Sequence, residues 1–235
     1  MGRVRQNDMT ESRASRVYEY TEAPSSEMAL SVLLATAPHI GDAFFNSLTT
    51  SIATAVPVKA AYVSELLADS NRVRLISGSE NGDQVPAFEY DLPGTPCEEV
   101  VLNGRAGFRD SVARRFPADE YLETIGAEAY VGELLRSQSG DALGLLVILH
   151  DAPIADLGPF HTLLRQLAPR AAAEVERRQH ENALRRSEAR LRLLVEQSQD
   201  MMFYFRIDPT PRMEYVSPAV EDITGYPPPA FSANY

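Results

Sequence analysis

Apolar residues recur along this chain with a helical period in some stretches and in alternation in others, and the switch between the two marks its elements. From Met28 to Ala37 the spacing predicts a helix, which Ser25 or Ser26 can N-cap. His39-Ile40-Gly41 breaks it, and a second helix is expected from Asp42 to Val56. Phe45, Leu48, Ile52 and Ala55 or Val56 form its buried stripe, and Pro57 stops it. Ala60 to Leu67 and Asn71 to Ser77 read as strands, the second alternating Arg72, Val73, Arg74, Leu75. Asp69-Ser70-Asn71 between them predicts an antiparallel hairpin. Gly78 to Gln84 reads as a turn region and Ala87 to Leu92 as a third strand.

A mixed stretch from Pro93 to Gly126 predicts short helices near Glu98 to Asn103 and Ala118 to Ile125, with an apolar segment from Gly107 to Val112. Glu128 to Leu135 and Leu143 to His150 are strands joined by a turn at Ser139-Gly140-Asp141. The second is so uniformly apolar that it is expected at the centre of a sheet, covered on both faces. A long helix follows from Leu157 to Ser198. Leu163, Leu164, Leu167, Ala171 and Val175 can pack on the sheet, and Leu184, Leu191, Leu194 and Val195 lie among Arg and Glu. The charged stretch from Glu174 to Arg192 reads as a solvated face. A helix so polar bridges domains rather than filling a core, and its leucines point to a partner helix and a homodimer. Met202 to Ile207 and Met213 to Val216 read as strands around a turn at Asp208 to Arg212, and Pro218 to Ile223 starts a helix ended by Gly225. The segment after the long helix is too short to bury a core of its own, so it reads as the beginning of a domain.

The chain has 235 residues, 44% of them hydrophobic, with a net charge of −11. Such an acidic surface repels nucleic-acid phosphates and anionic membranes, and no apolar run is long enough for a spanning helix. Nucleic-acid and membrane partners are therefore not expected. The single cysteine, Cys97, can form neither an internal disulfide nor a multi-thiolate zinc site, which suits a reducing cytoplasm. The N-terminal residues 1–27 read as a flexible polar leader.

Two families are similar to parts of this sequence. Tyr90-Asp91-Leu92-Pro93-Gly94-Thr95-Pro96-Cys97-Glu98-Glu99-Val100, then Gly107-Phe108, Phe116-Pro117, Tyr121-Leu122, Ala127 to Gly132 and Gly144-Leu145-Leu146 resemble GAF domains over residues 40–180. Ser187 to Glu196, Tyr215-Val216-Ser217-Pro218-Ala219 and Ile223-Thr224-Gly225-Tyr226 resemble the opening of a PAS domain over residues 187–235. The resemblance implies an α+β fold with an antiparallel sheet flanked by helices. It implies a GAF-like domain at 28–175, a connecting signalling helix at 157–198 and an incomplete PAS-like domain at 199–235.

The implied role is the cytoplasmic sensory input of a bacterial signal-transduction protein, acting on a histidine kinase, a diguanylate cyclase or a phosphodiesterase outside this chain. No catalytic residues are expected in the chain itself. The alternatives are a ligand-free dimerisation scaffold and a GAF-fold methionine sulfoxide reductase, which a single thiol disfavours.

Phe88, Tyr90, Cys97, Phe108, Phe116, Tyr121 and Tyr130 are the candidate lining of a small-molecule pocket, set against plain core packing. The sequence requires no cofactor and lacks the cyclic-nucleotide motif of some GAF domains. Cys97 invites redox sensing or chromophore attachment. A nearby helix start would favour its thiolate and Glu98 and Glu99 would oppose it, so a structural role is expected. His39, His150, His161 and His180 share no metal-ligand spacing. Haem ligation at His150 and phosphorylation at His180 are weighed against ordinary surface roles.

Overall fold

The structure is a computed structural model describing residues 24–232 except 57, 69, 208 and 210. Most of the leader, the stop at Pro57, and Asp69 and Asp208 of two expected turns therefore lie outside the described residues. The chain divides into two compact units, with the boundary between Arg177 and Arg178.

The first unit opens with α1 (Ser26–Thr36), and Ser25 caps it by accepting the Met28 N–H at 3.3 Å. Helix α2 (Gly41–Ala55) buries Phe44, Phe45, Leu48 and Ile52 along one stripe, as the spacing predicts. Strands β1 (Ala60–Leu66) and β2 (Arg72–Glu80) form the expected antiparallel hairpin, with a register shift between Val63 and Ser64. The stretch read as a turn is instead mostly strand. β2 runs on to Glu80, turns through Asn81 and Gly82, both at positive φ, and returns as β3 (Asp83–Val85). The expected third strand shrinks to β4 (Glu89–Asp91), which pairs with the start of β2.

The mixed stretch contains α3 (Pro96–Asn103), β5 (Arg105–Phe108), α4 (Val112–Arg115) and α5 (Glu120–Thr124). β6 (Ala129–Arg136) and β7 (Ala142–His150) close the sheet in the order β3-β2-β1-β7-β6-β5. β7 lies between β1 and β6, and its residues Leu143 to Leu149 are all buried. That is the central position its apolar run predicts.

Each face of this sheet covers its own core. On one face α1, α2 and the first half of α6 (Gly158–Glu196) bring Phe44, Phe45, Ile52, Phe160, Leu164 and Leu167 against Val63, Val131 and Ile148. On the other, α3, α4 and α5 bring Cys97, Val100, Val112 and Leu122 against Tyr62, Leu75, Tyr130 and Leu145.

Glu174 departs from the solvated face expected for this part of α6, being only 4% exposed. Helix α2 has no side-chain cap from its own N-cap residue, Ile40. Glu174 supplies an acceptor for the Gly41 N–H at 3.2 Å and pairs with Arg177 at 2.9 Å and Arg170 at 3.4 Å. A carboxylate at a helix N-terminus meets both the orphan N–H groups and the positive end of the dipole. The interaction fastens α2 to α6.

The second unit includes the remainder of α6, in which Leu184, Leu191 and Leu194 are about 60% exposed (61%, 60% and 61%). β8 (Phe203–Arg206) and β9 (Arg212–Val216) form an antiparallel hairpin, followed by α7 (Ala219–Thr224) and α8 (Pro229–Ser232). Ser217 locks its base: its Oγ accepts the Met202 N–H at 2.9 Å, and its own N–H donates to the Met202 carbonyl at 2.7 Å. Arg206 from β8 and Arg212 from β9 itself converge on Glu214. Among the described residues no helix is long and apolar enough to cross a membrane.

Candidate functional site

The sheet face under α3 and α5 is not filled. A cavity there is lined by Tyr62 and Ser64 of β1, Leu75 of β2, Phe88 and Tyr90, Pro96 and Cys97 of α3, Asp119, Tyr121 and Leu122 around α5, Tyr130 of β6, and Val147 and Leu149 of β7. About 70 Å³ of it is open to the centre of a water molecule, enough for several waters or a small ring. The wall is mostly hydrocarbon with a few hydroxyls and one carboxyl, the composition of a small-molecule site.

Strand alternation places the side chains. In β1, Tyr62 and Ser64 point to the cavity face, whereas Ala61 and Val63 point to the helical core. Close approach needs glycine at two places. A Cβ at Gly78 would come within 2.5 Å of the Tyr62 ring, and one at Gly132 within 2.6 Å of both Val100 and the Tyr130 hydroxyl.

Two polar clusters organise the site. At the floor, Tyr90 donates its hydroxyl hydrogen to Cys97 Sγ at 3.2 Å, and the Tyr130 hydroxyl lies 3.3 Å from the same sulfur. Burial pushes the Cys97 thiol up to about 11, with Tyr130 and Tyr90 opposing through their hydrogen bonds and the Asp119 charge adding to the rise. The thiolate is thus disfavoured chiefly by desolvation, whereas the sequence pointed to Glu98 and Glu99. Cys97 at neutral pH is a buried thiol, poorly placed for nucleophilic attachment or oxidant sensing. Burial, and after it the Cys97 sulfur, also raises the phenols of Tyr90 and Tyr130 well above the ordinary tyrosine range.

At the rim, the hydroxyls of Tyr62 and Tyr121 both donate to Glu80 Oε1, Tyr62 at 2.5 Å. Burial and the Glu80 hydrogen bond push Tyr121 up to about 12 and Tyr62 higher still. Phe88 packs between Tyr90 and Tyr121 with tilted rings, centroids 5.9 and 5.1 Å away. Among the described residues Asp119 is the only carboxyl in the lining. Burial raises its pKa, and the backbone N–H groups of Leu122 and Tyr121 partly oppose this.

Of the sequence candidates, Phe88, Tyr90, Cys97, Tyr121 and Tyr130 meet in this lining. Phe108 and Phe116 do not. They pack edge-to-face on each other at 4.9 Å, with Phe108 against the Tyr130 ring at 6.0 Å, so they support a wall of the cavity from behind. Tyr62, Ser64 and Asp119 escaped sequence reasoning. Tyr62 carried a signal, being an aromatic in a mostly apolar predicted strand, but Ser64 and Asp119 carried none.

The histidines are dispersed. His150 Nδ1 accepts the Ala152 N–H at 2.9 Å, closing the turn after β7. His39 and His180 are exposed, and His161 packs beside Gly107. No group of three metal-ligating side chains occurs among the described residues.

This seven-stranded arrangement matches solved structures. The GAF domain of an Acinetobacter phosphoenolpyruvate-protein phosphotransferase shares 11% identity at a TM-score of 0.54, covering 67% of this chain and 96% of that one. That of a phosphoenolpyruvate-protein phosphotransferase (ptsP) from Coxiella burnetii shares 14% at a TM-score of 0.55, with the same coverage. The first unit has a GAF-like fold. The phycocyanobilin-bound GAF domain of a cyanobacterial phytochrome is also similar, at 12% identity and a TM-score of 0.50 over 66% of this chain and 96% of that one. No protein-family model matches the chain, and no curated protein sequence does.

Proposed function

We propose that this chain is the input module of a signal-transduction protein, in which the GAF-like unit binds a small, largely apolar molecule and α6 carries the response. The observation that supports this most is the cavity: an apolar space framed by tyrosine hydroxyls and one carboxyl on one face of the sheet, with α6 packed on the other. The occupant is a small ring-sized molecule that offers one hydrogen-bond donor to Asp119. The bilin in the phytochrome neighbour supports the use of such a fold for ligand binding. Cys97, held as a buried thiol, is a poor attachment point for such a chromophore.

The second unit is read as the opening of a PAS-like domain, on the hairpin β8–β9 followed by α7. The leucines exposed on α6 support pairing with a second copy of the chain, and the output is a kinase or cyclic-dinucleotide enzyme rather than chemistry within these residues. A ligand acts on such a system only by binding two states of α6 unequally.

The test is a small-molecule thermal-shift screen on the whole chain and on Ser64→Phe, which fills the cavity. Compounds that raise the Tm of the parent and leave Ser64→Phe unmoved support the reading. A chain that no compound stabilises, yet that sediments as a dimer until Leu191→Glu and Val195→Glu separate it, is a scaffold instead.

A further inference from the structure

We propose that a second site, an open cleft between the β5–β6 edge and α6, binds a tetrahedral oxyanion of the phosphate class. The cleft offers about 460 Å³ to the centre of a water molecule and is lined by Arg105 of β5, Glu133 and Arg136 of β6, and Arg165, Ala168 and Pro169 of α6. It is separate from the tyrosine-lined cavity and shares no lining residue with it.

Three guanidinium groups meet here in a chain whose net charge is −11. Among the described residues neither Arg105 nor Arg165 has a carboxylate within ion-pair distance. Arg136 uses one N–H on the Gly140 carbonyl at 3.0 Å, and its Nη2 reaches over Gly104, 3.6 Å from where a Cβ would stand there, next to Arg105. Arg105 and Arg165 both act electrostatically on Glu133, so their charges converge on the same wall. One glutamate faces three arginines, and the local balance is positive against an acidic background, which concentrates anions.

The wall of the cleft also has unmet polar capacity. Glu133 Oε2 and His161 Nδ1 are buried, 4.0 Å apart, and neither has a hydrogen-bond partner among the described residues. Buried polar atoms are nearly always paired, so an orphan beside a cleft points to a bound water or ligand group. The P–O–H of a hydrogenphosphate or of a monoester monoanion supplies the donor that the Glu133 oxygen lacks.

The shape of the array favours phosphate over carboxylate. A planar carboxylate is satisfied by one arginine fork. Guanidinium groups from three different elements surround an anion from several directions, which suits a tetrahedron. Because Arg165 is on α6 and the other two are on the sheet edge, an occupant ties α6 to the sheet.

The probe is inorganic phosphate, titrated into the whole chain and followed by backbone amide NMR, with sodium chloride at matched ionic strength as control. The expected result is saturable shifts confined to residues 103–107, 133–136 and 161–172, weakened at least about tenfold in Arg105→Gln/Arg165→Gln, as the loss of one charge-assisted hydrogen bond requires. Glycerol phosphate binding more tightly than inorganic phosphate identifies a phosphorylated metabolite as the occupant, and equal binding identifies the free ion. Acetate producing the same saturable shifts overturns the tetrahedral assignment. Shifts reproduced by sodium chloride, or unchanged in the double variant, overturn the site. Retained amide dispersion in the variant shows that loss of binding is not loss of fold. Ser64→Phe leaves phosphate binding intact, so this site stands or falls independently of the apolar cavity.

Discussion

The two faces of the one sheet are built to different rules. The face under α1, α2 and α6 is closed at its centre: Phe44, Phe45, Ile52, Leu164 and Ile148 are fully buried, and beyond the Arg170 guanidinium over the Phe44 ring their role is packing. The opposite face carries tyrosines where the first carries leucine and isoleucine, and each hydroxyl needs a partner. Cys97 and Glu80 are those partners, and meeting their geometry leaves a space that close packing would have filled. One face holds the fold, and the other gives up packing for a largely apolar cavity edged by a few hydroxyls.

The largest test of this contrast is truncation on each side. Phe45→Ala on the closed face is expected to cost about 3–5 kcal/mol in urea denaturation, the usual range for a buried phenylalanine. Tyr130→Phe on the open face, which removes one hydroxyl from the Cys97 sulfur, is expected to cost only about 1 kcal/mol. Equal losses would mean that the cavity face is as tightly packed as the other.

Alkaline titration comes next. Cys97 rises on folding from an ordinary 9.0 to about 11, and Tyr121 from 10.0 to about 12. A group with a raised folded pKa gives stability that is complete below the unfolded value and lost as pH rises through the folded one. Stability should therefore hold up to about pH 9 and fall progressively towards pH 12, with Cys97 alone contributing on the order of 2 kcal/mol. Urea midpoints across this range check it, and Cys97→Ala should remove the earlier part of the decline. A flat profile would show that the thiol is not desolvated.

A smaller effect is expected at the junction of α2 and α6. Glu174→Ala removes the acceptor for the Gly41 N–H and the carboxylate that Arg170 and Arg177 share, at a cost of about 1–2 kcal/mol. Glu174→Gln keeps the acceptor and should lose less. Amide exchange at the first turn of α2 reads the result directly, and unchanged protection in Glu174→Ala would rule out the capping role.

The smallest is Tyr121→Phe at the rim. Glu80 keeps Tyr62, so stability should fall by at most about 1 kcal/mol, while entry to the cavity becomes faster. Ligand association rates from stopped flow would reveal an unchanged rim.

Much of the scaffold was legible before any coordinates. Alternation located β2, runs rich in apolar residues located β1, β6 and β7, and the unbroken run of Leu143 to Leu149 placed β7 at the centre, because only a strand covered on both faces tolerates such a run. The stripe of Phe45, Leu48 and Ile52 located α2 and its buried side. β4 was read, though as a longer strand, whereas the three-residue β3 and the four-residue α4 were not legible, since they are too short to display a period.

The sequence by itself determined the alternation of elements, the net charge of −11, and a set of aromatics of which Phe88, Tyr90, Tyr121 and Tyr130 do face one space. Only the tertiary structure decided the rest. It put Tyr62, Ser64 and Asp119 into the cavity and left Phe108 and Phe116 behind its wall, and it buried Glu174 where the local pattern reads as solvent. It also brought Arg105, Arg136 and Arg165 to one cleft. The reason is physical: periodicity reports which side of an element faces inward, a property of neighbours a few residues apart. A site is a meeting of elements distant in sequence, and their register and approach are fixed by the packing of the whole sheet.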